Sequence, residues 1–155
     1  MFLLGVFSSM AGTALPDVPS VAPSEAVTAT SSVRGFGAVL IPDEGDNVYG
    51  GGLSLEVPLL GQTLYGELGV SLFENDVYKT DLNLLVYVPV AQQFLVYGMG
   101  GVGYNSESED WNVGVGGGVK YHLGGISLFS DAVYNVSDDA YDGNVTVRVG
   151  LGFEF

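Results

Sequence analysis

The chain has 155 residues, no cysteine, 18 acidic against 4 basic residues and a formal charge of -14. This length suits one domain, the missing cysteines exclude disulfides and thiolate chemistry, and the charge opposes binding to nucleic acid, which needs clustered Lys and Arg. A mean hydropathy of +0.35 is high for so acidic a chain, so the charge must be concentrated in places, and 24 glycines among frequent Tyr, Phe and Val favour strands over helices.

Residues 2–7 are apolar and are followed by small residues through Ala14. This is the pattern of a secretory signal, so residues 1–14 are read as a signal peptide cut after Ala11 or Ala14. Residues 15–32, rich in Pro, Ser, Ala, Val and Thr with only Asp17 and Glu25 charged, read as a flexible leader.

Residues 33–155 then divide into eight segments of alternating polarity, at 33–41, 47–57, 62–73, 78–88, 94–104, 110–121, 126–136 and 143–155. In the third, Leu64, Gly66, Leu68, Val70 and Leu72 oppose Tyr65, Glu67, Gly69 and Ser71. In the sixth, Trp111, Val113, Val115, Val119 and Tyr121 oppose Asn112, Gly114, Gly116, Gly118 and Lys120. The last is the most regular: Val145, Val147, Val149, Leu151, Phe153 and Phe155 share one face, and Asn144, Thr146, Arg148, Gly150, Gly152 and Glu154 the other. The polar faces hold too much glycine and too little charge for a soluble exterior. Turning them inward and the aliphatic faces outward gives an all-β, eight-stranded, antiparallel, transmembrane up-and-down barrel.

The connections support this arrangement. Those after segments two, four and six, at 58–61, 89–93 and 122–125, contain no acidic residue, Lys or Arg. Those after one, three, five and seven hold Asp43, Glu44, Asp46, Glu74, Asp76, Glu107, Glu109, Asp110, Asp138, Asp139 and Asp142, eleven of the 18 acids, at one end. An even strand count places both termini at the short-turn end, the periplasmic side in such barrels, and the acidic loops outside the cell. Reading 83–106 as a membrane helix is opposed by Pro89, Gln92, Gln93 and the glycines after Tyr97.

Arg34, Glu56, Glu67, Asp81, Lys120, Asp131, Arg148 and Glu154 lie within segments and on the inward faces, where they form a lumen ionic network. Counting along the strands pairs Arg148 with Asp131 and sets Arg34 beside Glu56 and, across the closing seam, Glu154. Tyr49, Trp111 and Tyr134 at the loop ends and Tyr97, Tyr121, Phe153 and Phe155 at the turn ends are read as two membrane-interface belts.

Other motifs carry less. Residues 98–103 match the dinucleotide fingerprint GxGxxG, but no helix follows to hold a pyrophosphate, so these are wall glycines. His122, the one histidine, has no acid and nucleophile at a catalytic spacing. No catalytic, cofactor or metal site is expected. The acidic loops suit weak binding of divalent cations as well as plain solvation, and none matches an EF-hand.

Over residues 33–155 the sequence resembles the small outer-membrane barrels of the OmpA and OmpX type, through the eight segments, the alternation of loops and turns, and the ending Val149-Gly150-Leu151-Gly152-Phe153-Glu154-Phe155. The resemblance implies residence in the outer membrane of a Gram-negative bacterium, contact with its lipid and lipopolysaccharide, and biogenesis through periplasmic chaperones and the barrel-assembly machinery. That machinery would read Val149, Leu151, Phe153 and Phe155 as its assembly signal. The function expected is structural or adhesion-like surface interaction rather than catalysis, with a narrow porin-like channel or small-ligand carrier as the alternative.

Overall fold

The computed structural model describes residues 29–106, 109–137 and 143–155. The signal segment, most of the leader, and Glu107, Asp138, Asp139 and Asp142 lie outside the described residues. A side-chain period of two produces eight strands: β1 Ser32–Pro42, β2 Val48–Leu60, β3 Leu64–Phe73, β4 Tyr78–Ala91, β5 Phe94–Asn105, β6 Asp110–His122, β7 Ile126–Ser137 and β8 Gly143–Glu154. Each pairs antiparallel with the next, and β8 returns to β1 to close the barrel. Closure removes both sheet edges, as a membrane-spanning sheet requires.

The closing seam runs from Ser32 opposite Glu154 to Pro42 opposite Asn144, and Ser31 and Phe155 extend it by exchanging backbone hydrogen bonds. Residues 83–106 form β4, a tight turn and β5 rather than a helix. Among the described residues no helix is long and apolar enough to cross a membrane, which says nothing of crossing by strands. The turns at the unacidic end are tight because Gly61 and Gly124 adopt positive φ, which L side chains avoid. Pro58 and Pro89, lacking an N–H, sit where the ladders of β2 and β4 slip by one residue, just before the turns at Gly61 and at Gln92-Gln93.

The two faces differ in kind. Outward stand Leu53, Leu68, Leu72, Leu82, Val113, Val115, Val149 and Phe153, all exposed, an apolar belt of the kind that faces lipid in membrane barrels. Inward, side chains occupy the lumen apart from a cavity of about 120 Å³ at the turn end. Tyr65, Leu85, Tyr87, Tyr97, Met99 and Val133 form one cluster, and Phe36, Ala38, Phe73 and Phe129 a second. Phe36 and Tyr97 lie over their cross-strand partners Gly52 and Gly118, where any Cβ would collide with the ring. Between these clusters runs a layer of charge.

Candidate functional site

Arg148, near the middle of β8, faces Asp131 of β7 in register. Its Nε donates to Asp131 Oδ1 at 2.8 Å and its Nη2 to Asp131 Oδ2 at 2.9 Å, a two-pronged grip. Its Nη1 donates across the lumen to Glu67 Oε1 of β3 at 3.0 Å. Glu67 then links two arginines, because Arg34 Nη1 donates to its Oε2 at 2.9 Å. Ser54 and Asn83, each 3.2 Å away, supply further donors to the same carboxylate.

From Arg34 the network continues toward the turn end. Arg34 Nη2 donates to Glu56 and to the Tyr87 hydroxyl, which itself donates to Glu56 Oε2 at 2.6 Å. Lys120 Nζ donates to Glu56 Oε1 at 2.9 Å and stands 3.3 Å from Glu154 Oε1, which lies 2.8 Å from His122 Nδ1. Toward the loop end, Lys79 Nζ pairs with Asp81 at 3.1 Å and donates to Asn135 at 2.9 Å. Rings enclose the cations: Arg34 lies 4.7 Å from the Phe129 centroid and Arg148 5.2 Å from that of Phe36.

All four basic residues of the chain are therefore inside the barrel and buried, facing five carboxylates, Glu56, Glu67, Asp81, Asp131 and Glu154. Buried charge persists only when paired and hydrogen-bonded, and here each cation has at least one carboxylate partner. Such an array neutralises, stiffens and fills. Among the described residues no three His, Asp or Glu side chains are placed to hold a metal ion.

The eight charged residues expected in the lumen all point inward, with two differences of partner. Arg34 turns to Glu56 and Glu67 instead of Glu154, since its neighbour across the seam is Gly152. Glu154 is taken by Lys120 and His122. Lys79 and His122 also belong to the array and were absent from the expected set. Each shares parity with an expected member, Lys79 with Asp81 and His122 with Lys120, and parity alone would have found them.

Tyr49, Trp111, Tyr121, Tyr134, Phe153 and Phe155 lie exposed on the outer face. Tyr97 does not, and its placement in the interface belt is corrected. It is 2% exposed, faces the lumen and donates from its hydroxyl to Asp131 Oδ2 at 2.7 Å. The outward set of β5 is Val96, Gly98, Gly100 and Val102, so Tyr97 has the opposite parity; two outward glycines hide that from the sequence.

No family model matches the chain, and comparison with curated proteins finds no relative. Solved structures do match its fold. Neisserial surface protein A aligns over 81% of this chain and 97% of its own at 13% identity, with a TM-score of 0.68. OprG, an outer membrane protein of Pseudomonas aeruginosa, aligns over 83% and 96% at 14% identity, with a TM-score of 0.63. The outer membrane enzyme PagL aligns over 79% and 99% at 16% identity, with a TM-score of 0.52. Identities this low speak to fold alone, and an enzyme among the matches means that this architecture does not decide activity. The chain has the fold of the small eight-stranded outer-membrane β-barrels.

Proposed function

We propose that this protein is an outer-membrane barrel of a Gram-negative bacterium whose lumen is a plug, and that it acts as a structural or surface-interaction protein rather than as a pore or an enzyme. The observation that carries this reading is the buried array centred on Arg34, Glu56, Glu67 and Arg148, ion-paired across the lumen. Eight strands leave an interior just wide enough for side chains, and these side chains are cross-linked by charge. In this reading the termini are periplasmic and the acidic loops extracellular, the outer belt contacts membrane lipid and lipopolysaccharide, and Val149, Leu151, Phe153 and Phe155 guide assembly.

Purified protein in planar bilayers should give no discrete conductance steps, and reproducible steps would overturn the plug. Membrane fractionation with heat-modifiable gel mobility tests residence in the outer membrane. Protease added to whole cells should cut within the acidic loops and spare the turns; the reverse pattern would invert the orientation.

A further inference from the structure

The chain enters the barrel at the turn end by crossing its mouth. Ser31 extends the seam between β1 and β8 past the strand, exchanging backbone hydrogen bonds with Phe155. Thr30 keeps the parity of Ser32 and Arg34, both buried inside, and its backbone hydrogen-bonds the side chain of Tyr65 on β3, two strands away from β1. Ala29, Thr30 and Ser31 are half-buried although they precede the strand. Where it meets β1, the chain has therefore already turned over the lumen.

Beneath this crossing lies the turn-end cavity of about 120 Å³, and Thr30 is part of its wall. Tyr65, Tyr87, Pro89 and Leu95 give it an apolar side. Lys120, the ammonium that borders it, is already committed to Glu56 and Glu154. A charge seated here would go without a partner, so the fitting occupant is uncharged. The volume is close to that of engineered cavities of about 150 Å³ that hold one benzene ring, which leaves room for one small aliphatic side chain. Running back from Ala29, the chain reads Thr28, Val27 and Ala26, none of them charged, before Glu25. Val27 is the first branched aliphatic residue of that run, and three extended residues reach about 10 Å, enough to return from Thr30 into the cavity that Thr30 lines. So short a tether also keeps Val27 at the opening at an effective concentration in the millimolar range, ahead of dilute solutes.

We propose that the leader caps the barrel, the side chain of Val27 seated in the turn-end cavity against Tyr65, Tyr87 and Leu95, so that the segment before β1 closes the mouth below the ionic array. The proposal does not depend on where the barrel resides or on which of its ends faces the cell.

The test uses the full chain in detergent with isotope-labelled valine methyls, those of Val27 assigned by their loss in Val27→Ala. Nuclear Overhauser contacts should join them to the rings of Tyr65 and Tyr87. Elastase, which cuts after small residues, should cut slowly between Ala26 and Ala29 and faster at Val21 and Ala22, further back in the leader. Leu95→Trp fills the cavity, and Val27→Asp puts a charge on the occupant. Each should speed the nearer cut about tenfold, the population ratio that burying one valine side chain supports, and leave the farther cut unchanged. Val27 precedes β1, so Val27→Asp should keep the heat-modifiable mobility of the parent even if Leu95→Trp folds poorly. Contacts to the two rings from detergent chains or from another leader residue in place of Val27, no contacts at all, or equal cutting in all three chains would each overturn the proposal.

Discussion

The grip of Arg148 on Asp131 can be tested by removing each partner in turn. At 2.8 and 2.9 Å, an effective dielectric of 20 gives a gross attraction of about 6 kcal/mol. Desolvation of the two ions offsets much of this, so the pair itself is worth little beside well-packed neutral groups. A partner left alone costs far more, about 3 to 5 kcal/mol. Asp131→Asn leaves Arg148 still bound to Glu67 at 3.0 Å, so its cost should lie near 3 kcal/mol, at the low end of that range. Arg148→Gln strips the cation from Asp131, which keeps only the Tyr97 hydroxyl, and leaves Glu67 to Arg34. Its cost should lie near 5 kcal/mol, at the high end.

The double substitution leaves no charge alone, because Glu67 retains Arg34, Ser54 and Asn83. It should be no less stable than Arg148→Gln by itself, so the coupling energy should reach about 3 kcal/mol, the top of the range for residues in contact. Urea unfolding in detergent, followed by Trp111 emission and by gel mobility, measures all four proteins. Additive losses, or a double variant less stable than either single one, would refute the reasoning, because both require that the two residues do not share an environment.

Two further outcomes follow from the wall of the barrel. A Cβ at Gly118 would stand 2.6 Å from Asp131 Cβ and 2.7 Å from the Tyr97 ring, whereas one at the outward Gly98 meets nothing within 4 Å. Gly118→Ala should therefore cost about 1 to 3 kcal/mol and Gly98→Ala should be neutral or gain up to about 1 kcal/mol, as read by the same unfolding assay. Trp111, 68% exposed on the outer face and 5.7 Å from the Tyr104 ring, should be quenched by headgroup-labelled lipid and poorly by aqueous iodide, and the opposite result would remove it from the membrane interface.

The strands were legible because one face of most of them, β3, β4, β7 and β8 above all, carries an apolar residue at nearly every second position, a pattern that no helix reproduces. Register was legible even between strands joined by an acidic loop: Ile126 and Phe153 stand level at the turn end, and counting from them along β7 and β8 aligns Asp131 with Arg148. What lay beyond reach were the contacts across the lumen. Glu67 on β3 meets Arg34 on β1 and Arg148 on β8, neither of which is its ladder neighbour, and only the barrel's radius and the reach of two guanidinium groups bring them together. Tyr97 was misread for a different reason. With Val96, Gly98, Met99 and Gly100 around it, both faces of β5 are apolar or blank, so alternation gives no polar mark to say which side is inside. Lys79 and His122 fell at segment ends, where a residue reads as loop or turn although its parity already commits it to the lumen.

Placing every cation in the lumen has a consequence for the loops. Asp43, Glu44, Asp46, Glu74, Asp76 and Glu109 are exposed at one end of the barrel, and no basic residue lies among them because all four are buried in strands. These carboxylates can only repel one another, over a distance set by the Debye length, about 30 Å at 0.01 M salt and about 3 Å at 1 M. The lumen pairs, being buried, are screened much less. Salt should therefore relieve repulsion at the loop end and leave the array nearly untouched, so that folding stability rises between low and high concentrations of potassium chloride. A protein held by exposed ion pairs would show the reverse. Urea midpoints measured in an uncharged detergent at the two salt levels decide the matter: a midpoint that falls with salt would mean that the lumen pairs are open to solvent, and with them the plug.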